Sequence, residues 1–317
     1  MLTRKAFIQN SVIAVAGLPI LGCGGDTPNS THSTSSDKNS MATNSKLPYL
    51  ETIGLQLWSV RDQMEIDPRA TLKTLADIGY RQVELMDSRD AAKIVPLARE
   101  HGLQVNSSFL AWNTVTGGWQ YTPDDTPFEF AEAIDQAGVN AIDTLVFGYL
   151  RPEERTNLDD WKKLADDLNE AGRVAQENGI QLAYHNHNFE WDPIEGTTGW
   201  AVLNDRMDGG LVPFELDLFW AEIAGQDAGE TLEGIKNRVQ LLHLKQLNPR
   251  VAKATRLEDV DPESFEELPD GNIPILDLMR RAEEYGVRYC MVEQDGNYEG
   301  TSLQSVTKSV DYLKSSI

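Results

Sequence analysis

Three of the chain's five histidines, His185, His187 and His243, fall at the ends of short apolar runs, and two further runs end on the carboxylates Asp217 and Glu293. The local sequences are Tyr184-His185-Asn186-His187, Glu215-Leu216-Asp217, His243-Leu244-Lys245 and Glu293-Gln294-Asp295. Imidazole nitrogens combined with carboxylate oxygens form a donor set suited to Mn²⁺, Zn²⁺, Co²⁺ or Fe²⁺. Mg²⁺ prefers oxygen alone and fits less well. One such residue at a strand end usually does no more than hydrogen-bond a loop; four in succession point to convergence on one divalent ion.

Convergence needs a scaffold that brings distant strand ends together. Short runs rich in Ile, Val and Leu occur at 52–58, 82–86, 104–108, 141–147, 180–185, 211–218, 239–245 and 287–293. Several follow a glycine turn, as in Ile78-Gly79-Tyr80 and Asn178-Gly179-Ile180, where glycine stops a helix by taking a left-handed conformation. The intervening stretches carry helical spacing: Trp161, Leu164, Ala165, Leu168, Ala171 and Ala175 make one stripe. Strand alternating with helix predicts a parallel sheet, and the absence of a glycine-rich phosphate loop after the first strand favours a closed α/β barrel, (β/α)8, of the TIM type. Residues 47–317 have room for one such barrel, which takes roughly 250 residues. A parallel barrel collects the C-terminal ends of its strands on one face.

Side chains alternate along a strand, so residues two apart share a face. That rule puts His185 with His187, Glu215 with Asp217, His243 with Lys245 and Met291 with Glu293, all inward. Glu84 ends the second strand inward, and Gln56 and Trp58 share the inward face of the first. Lys245 is suited to neutralising a developing oxyanion or to pairing with Glu215. Glu84 is suited to binding a hydroxyl group, acting as a base, or pairing with Arg61 or Lys245. Trp58 offers a ring for stacking. Two segments at 111–127, with Trp112, Trp119 and Tyr121, and at 246–272 break the pattern after strand ends and are expected over the reactive face.

The N-terminal residues read differently. Arg4 and Lys5 precede a mostly apolar stretch ending in Ile20-Leu21-Gly22-Cys23, the pattern of a lipoprotein signal peptide covering 1–23 with Cys23 as the lipidation site. Residues 24–46, dominated by Ser, Thr and Asn, are expected to be a flexible tether. Export to the periplasmic or extracytoplasmic side, with the membrane met only through a lipid, follows as an expectation. Cys290 then has no intramolecular partner and reads as an ordinary buried strand residue. A net charge of −22 without a Lys/Arg cluster disfavours nucleic acid as a partner.

Across 47–317 the chain resembles the xylose-isomerase-like barrels grouped as sugar phosphate isomerases/epimerases. The resemblance rests on Gly54-Leu55-Gln56-Leu57-Trp58-Ser59-Val60-Arg61, Val83-Glu84-Leu85, Tyr184-His185-Asn186-His187-Asn188-Phe189-Glu190, Leu216-Asp217-Leu218-Phe219-Trp220, Leu242-His243-Leu244-Lys245 and Val292-Glu293-Gln294-Asp295. It implies one divalent ion held by His185, Asp217, His243 and Glu293. It also implies removal of a proton next to the carbonyl of a ketose or keto-cyclitol through a metal-stabilised enediolate. Glu293 is the implied base, with His187, Lys245 and Glu84 as further catalytic candidates. Gln56, Trp58, Arg61, Glu190 and Trp112 are the candidates for sugar contact. In tagatose-epimerase-like members the fifth-strand ligand is a glutamate that serves as a second base; here His185 stands there, so a second base would have to be Glu190 or His187. The family's histidine after the third strand is Phe109. A dehydratase, a lyase or hydrolase of 3-keto-glycosides, and a carbohydrate-binding lipoprotein without activity remain the alternatives; the oligomeric state is left open.

Overall fold

The computed structural model describes residues 47–111, 113–117 and 128–316. The signal-peptide and tether readings, Cys23, Trp112 and most of the 111–127 segment lie outside the described residues. Eight strands form a closed barrel: β1 (Gly54–Gln56), β2 (Gln82–Leu85), β3 (Gln104–Leu110), β4 (Thr144–Phe147), β5 (Gln181–His185), β6 (Phe214–Asp217), β7 (Val239–Leu244) and β8 (Tyr289–Val292). Each pairs in parallel with its sequence neighbours, and β8 closes on β1 through Gly54↔Met291 and Leu55↔Val292. All eight predicted strands are present, most of them shorter than predicted.

Local chemistry sets their ends. β1 stops at Gln56 because that side chain accepts the Trp58 backbone N–H at 3.1 Å and turns Leu57–Val60 into a 3-10 turn. Trp58 therefore sits on the rim instead of the strand. β6 ends where Asp217 caps the following helix, Leu218–Ile223, by accepting the Trp220 N–H at 2.8 Å. Asp67 caps Pro68–Ile78 in the same way, and Gly79, at φ 115°, ends that helix.

The long helix Leu158–Glu177 buries Trp161, Leu164, Ala165, Leu168, Ala171 and Ala175, the stripe read from sequence. The main core lies between strands and helices, and Leu242, Leu244 and Val292 belong to it. A second small cluster, Val146, Ala183 and Leu241, fills the barrel interior. Two residues further along β5 and β7 come His185 and His243, so the period-two rule lifts the chemistry directly above an apolar plug. The 246–272 segment is partly ordered by a two-stranded antiparallel ladder, Gln246–Leu247 with Phe265–Glu266. Cys290 is buried and unpaired.

Candidate metal centre and active-site cavity

The inward ends of β5, β6, β7 and β8 bring His185, Asp217, His243 and Glu293 together, with one donor atom from each lying within 4.8 Å of all the others. All four are buried. Strand register explains the meeting, since His185 stands beside Glu215 and Asp217 beside His243. His243 Nδ1 lies 2.7 Å from Glu293 Oε2 and 3.9 Å from Asp217 Oδ2. The two imidazole rings are 4.6 Å apart, and the Phe109 ring stacks on His243 at 5.9 Å and meets His185 edge-on at 5.1 Å.

Lys245, completely enclosed, reaches the same carboxylates: Nζ is 3.1 Å from Asp217 Oδ2, 2.8 Å from Glu293 Oε2 and 2.9 Å from Asp295 Oδ2. Of the two partners considered for it, neither Glu215 nor Glu84 is engaged. Glu84 Oε1 instead accepts from Gln56 Nε2 at 2.9 Å and lies 2.8 Å from His243 Nε2, not against Arg61 or Lys245. Glu215 Oε2 lies 3.0 Å from His185 Nδ1 and 3.3 Å from His243 Nε2.

Burial and charge oppose each other throughout this cluster. Burial disfavours charge on His243, yet Glu215 and Glu293 outweigh it and hold the imidazole well above its ordinary value. Burial likewise opposes the Lys245 ammonium, and Asp217, Asp295 and Glu293 more than restore it. Glu293 would rise on burial alone, but Lys245 and His243 hold it well below the carboxylate range. Asp295 is pushed by burial up to about 6, and Glu215 to about 8 by burial and by the neighbouring Glu84. His185 stays neutral because burial and the positive neighbour His243 both lower it. Burial, with help from Lys245, lowers His187 to about 3.

These donors fit a divalent cation. Two imidazoles face two carboxylates, the mixed nitrogen and oxygen donor set of a transition-metal site, and two of the four, His185 and Glu293, reach an accessible cavity.

The cavity measures about 370 Å³. His185, His187, Lys245, Glu293 and Asp295 line one side; Trp58, Met86, Phe109, Leu110, Gly148 and Tyr149 line the other. Leu257 and Phe265 bring the 246–272 segment over the opening, as expected of it. Gln56 and Trp58 reach the cavity, with Trp58 47% exposed. Glu84, Arg61 and Glu190 do not line it. Arg61 binds the Trp58 and Asp295 carbonyl oxygens and the Tyr298 hydroxyl, stacking behind Trp58 at 4.6 Å. Glu190 accepts the Tyr184 hydroxyl at 2.7 Å and the His187 N–H at 3.0 Å, which makes it a brace under the β5 loop. Asp295 was given no role from sequence, and Glu215 only that of a partner for Lys245. Extending the period-two alternation from Glu293 to Asp295 would have found the first.

A closed parallel barrel with a metal-type donor cage at the C-terminal ends of its strands defines a class of barrel built to act on small molecules at that face. Residues 72–316 match the family model described as a xylose isomerase-like TIM barrel, and the chain belongs to that family. It is similar to the inosose dehydratase of Clostridium perfringens, 30% identical over 153 residues covering 46% of this chain and 47% of that one. The chain thus spans about half the length of this curated relative. Among solved structures it resembles a sugar phosphate isomerase/epimerase from Parabacteroides distasonis (TM-score 0.64, 24% identity, 87% of this chain and 96% of that one). It also resembles the D-psicose 3-epimerase of Clostridium cellulolyticum (TM-score 0.58, 12% identity, 83% and 98%). At such identities these two likenesses speak for the fold alone.

Proposed function

We propose that the chain is a divalent-metal-dependent enzyme of the isomerase/epimerase kind. It removes a proton from the carbon next to the carbonyl of an unphosphorylated ketose or keto-cyclitol. The observation that carries this reading is the four-strand donor cage, two of whose members, His185 and Glu293, line the cavity beside Lys245. A divalent ion there would supply Lewis-acid polarisation of the substrate carbonyl. Lys245, held between Asp217, Glu293 and Asp295, offers an ammonium to the oxygen on which negative charge develops. Glu293 and Asp295 are the carboxylates beside it that can receive the proton. The aromatic wall keeps water away and presents apolar faces to the ring. Among the described lining residues Lys245 is the one lysine or arginine, so a doubly charged phosphate would meet a single cation among several carboxylates, which argues against a phosphate group on the substrate.

A second reading, dehydration or cleavage of a 3-keto-glycoside, has its own support. The β3–β5 wall, formed by Phe109, Gly148, Tyr149, His185 and His187, offers no carboxylate as a second base. One-sided proton removal suits isomerisation or loss of a neighbouring oxygen substituent better than two-base epimerisation. Similarity to inosose dehydratases adds weight here, since dehydrating a keto-cyclitol starts with the same proton removal. We also propose export and lipid anchoring at Cys23, resting on Ile20-Leu21-Gly22-Cys23; a membrane-fraction chain whose Cys23 carries no lipid by mass spectrometry would rule the anchor out.

Incubating candidate ketoses, inososes and 3-keto-glycosides in D₂O tests the proposal. Deuterium next to the carbonyl supports it, and an unsaturated product or released aglycone selects the second reading. Binding of these sugars without exchange or cleavage would leave a carbohydrate-binding barrel instead.

A further inference from the structure

Below the donor cage lies a second layer that the proposed reaction does not use; it includes Glu84, a catalytic candidate from sequence that the structure leaves out of the cavity lining. Glu84 from β2 and Glu215 from β6 come from opposite sides of the barrel and are fully buried, and neither lines the cavity. Each keeps one oxygen without a hydrogen-bond partner, Glu84 Oε2 and Glu215 Oε1. Burying two carboxylates side by side is expensive, so their retention requires partners that need negative charge. Those partners are the two imidazoles. His243 turns Nε2 to Glu84 Oε1 at 2.8 Å and to Glu215 Oε2 at 3.3 Å, and His185 turns Nδ1 to Glu215 Oε2 at 3.0 Å. Gln56, donating to Glu84 Oε1 at 2.9 Å, fixes that carboxylate in turn.

We propose that Glu84 and Glu215 are positioning residues for the metal centre: by accepting N–H from His243 Nε2 and His185 Nδ1 they commit His243 Nδ1 and His185 Nε2 to the ion. The inference rests on the metal-site reading above and adds which nitrogen of each ring serves as ligand and what holds it there. An imidazole can present either nitrogen, and the group bonded to the far nitrogen decides which one is protonated. Here the two rings are used in opposite senses, a choice that their own strands do not impose. The acceptors also make both rings better donors, because a carboxyl oxygen that accepts the far N–H raises the electron density on the near nitrogen. Glu215, touching both rings, couples them.

The test uses the full chain stripped of metal and titrated with Mn²⁺ or Zn²⁺ against a competing chelator, alongside Glu84→Gln and Glu215→Gln. The expected result is a loss of roughly 10–100-fold in ion affinity for each variant. Turnover at saturating ion should return to within a few-fold of wild type. Affinities within twofold of wild type would overturn the proposal. A second measurement needs no variant: ¹⁵N spectra of the histidines in the Zn²⁺-loaded chain. Protonated His243 Nε2 and His185 Nδ1 support it; an ion-bound nitrogen at either of those positions overturns it. If wild type itself takes up neither ion, the metal-site reading fails as a whole, an outcome distinct from a loaded site indifferent to the two glutamates.

Discussion

The two halves of the barrel mouth are built from different materials. β5–β8 contribute His185, Asp217, His243, Lys245 and Glu293; the segments at and after β1–β4 contribute Trp58, Met86, Phe109, Gly148 and Tyr149. One half concentrates charge that its own burial makes expensive, and in the other the lining carboxylate, Asp87, is held by Arg89. A keto-sugar has the same division, with polar oxygens around the reacting carbons and apolar C–H faces on the ring. Under the proposed function, chemistry would belong to the second half and fit to the first, and the two should respond differently to substitution.

The largest effect should come from the charged half. His243→Ala removes a donor and leaves Glu84, Glu215 and Glu293 without their shared cation, so kcat/KM should fall by about 10³-fold or more with loss of bound ion. Near-normal turnover in that variant would remove the site assignment altogether. Next comes a stability effect at Glu190, which braces the charged half without lining the cavity. Burial raises its carboxyl from 4.5 to about 7. The fold therefore keeps a proton that the unfolded chain releases, and stability should decline as pH rises from about 4.5 to about 7, by on the order of 3 kcal/mol. Glu190→Gln should flatten that slope in denaturant titrations; an unchanged slope would assign the dependence elsewhere.

Lys245→Met should lower kcat by about 10²-fold while the ion stays bound, because the ammonium contributes charge to the reaction and no donor to the ion. The reverse pattern, retained kcat with lost ion, would make Lys245 a structural support. The smallest effect belongs to the aromatic half. Trp58→Ala should raise KM about tenfold and leave kcat nearly intact, as expected for an interaction equal in ground and transition states. A fall in kcat alone would break the division between the halves.

Much of the fold was legible because each strand is a short apolar run bounded by a turn, and because the Trp161–Ala175 stripe repeats at helical spacing. The donor cage was legible for the same reason, since period-two alternation at a strand end needs no knowledge of the neighbours. What sequence could not supply was the choice of partner across the barrel. Lys245 had several acids within plausible reach, and the structure pairs it with Asp217, Glu293 and Asp295 while Glu215 goes to the histidines. Such choices depend on register and depth, which pairwise spacing along one chain does not encode. Trp58 departs from alternation because the Gln56 side chain ends the strand two residues early. Phe109 turns out to be the plate against which both imidazoles rest.

The four donors are spread from residue 185 to residue 293, one at the end of each of four separate strands. An unfolded chain, or a fragment short of that half-barrel, has no way to present them at once, so an ion taken up by the cage binds the folded state alone. Mass action then ties occupancy to endurance: ion present at a thousand times its dissociation constant would add about 4 kcal/mol to the free energy of unfolding. The melting temperature should accordingly climb with the logarithm of free ion. An enzyme working where metal supply fluctuates would carry in its own lifetime a record of how much metal it had met.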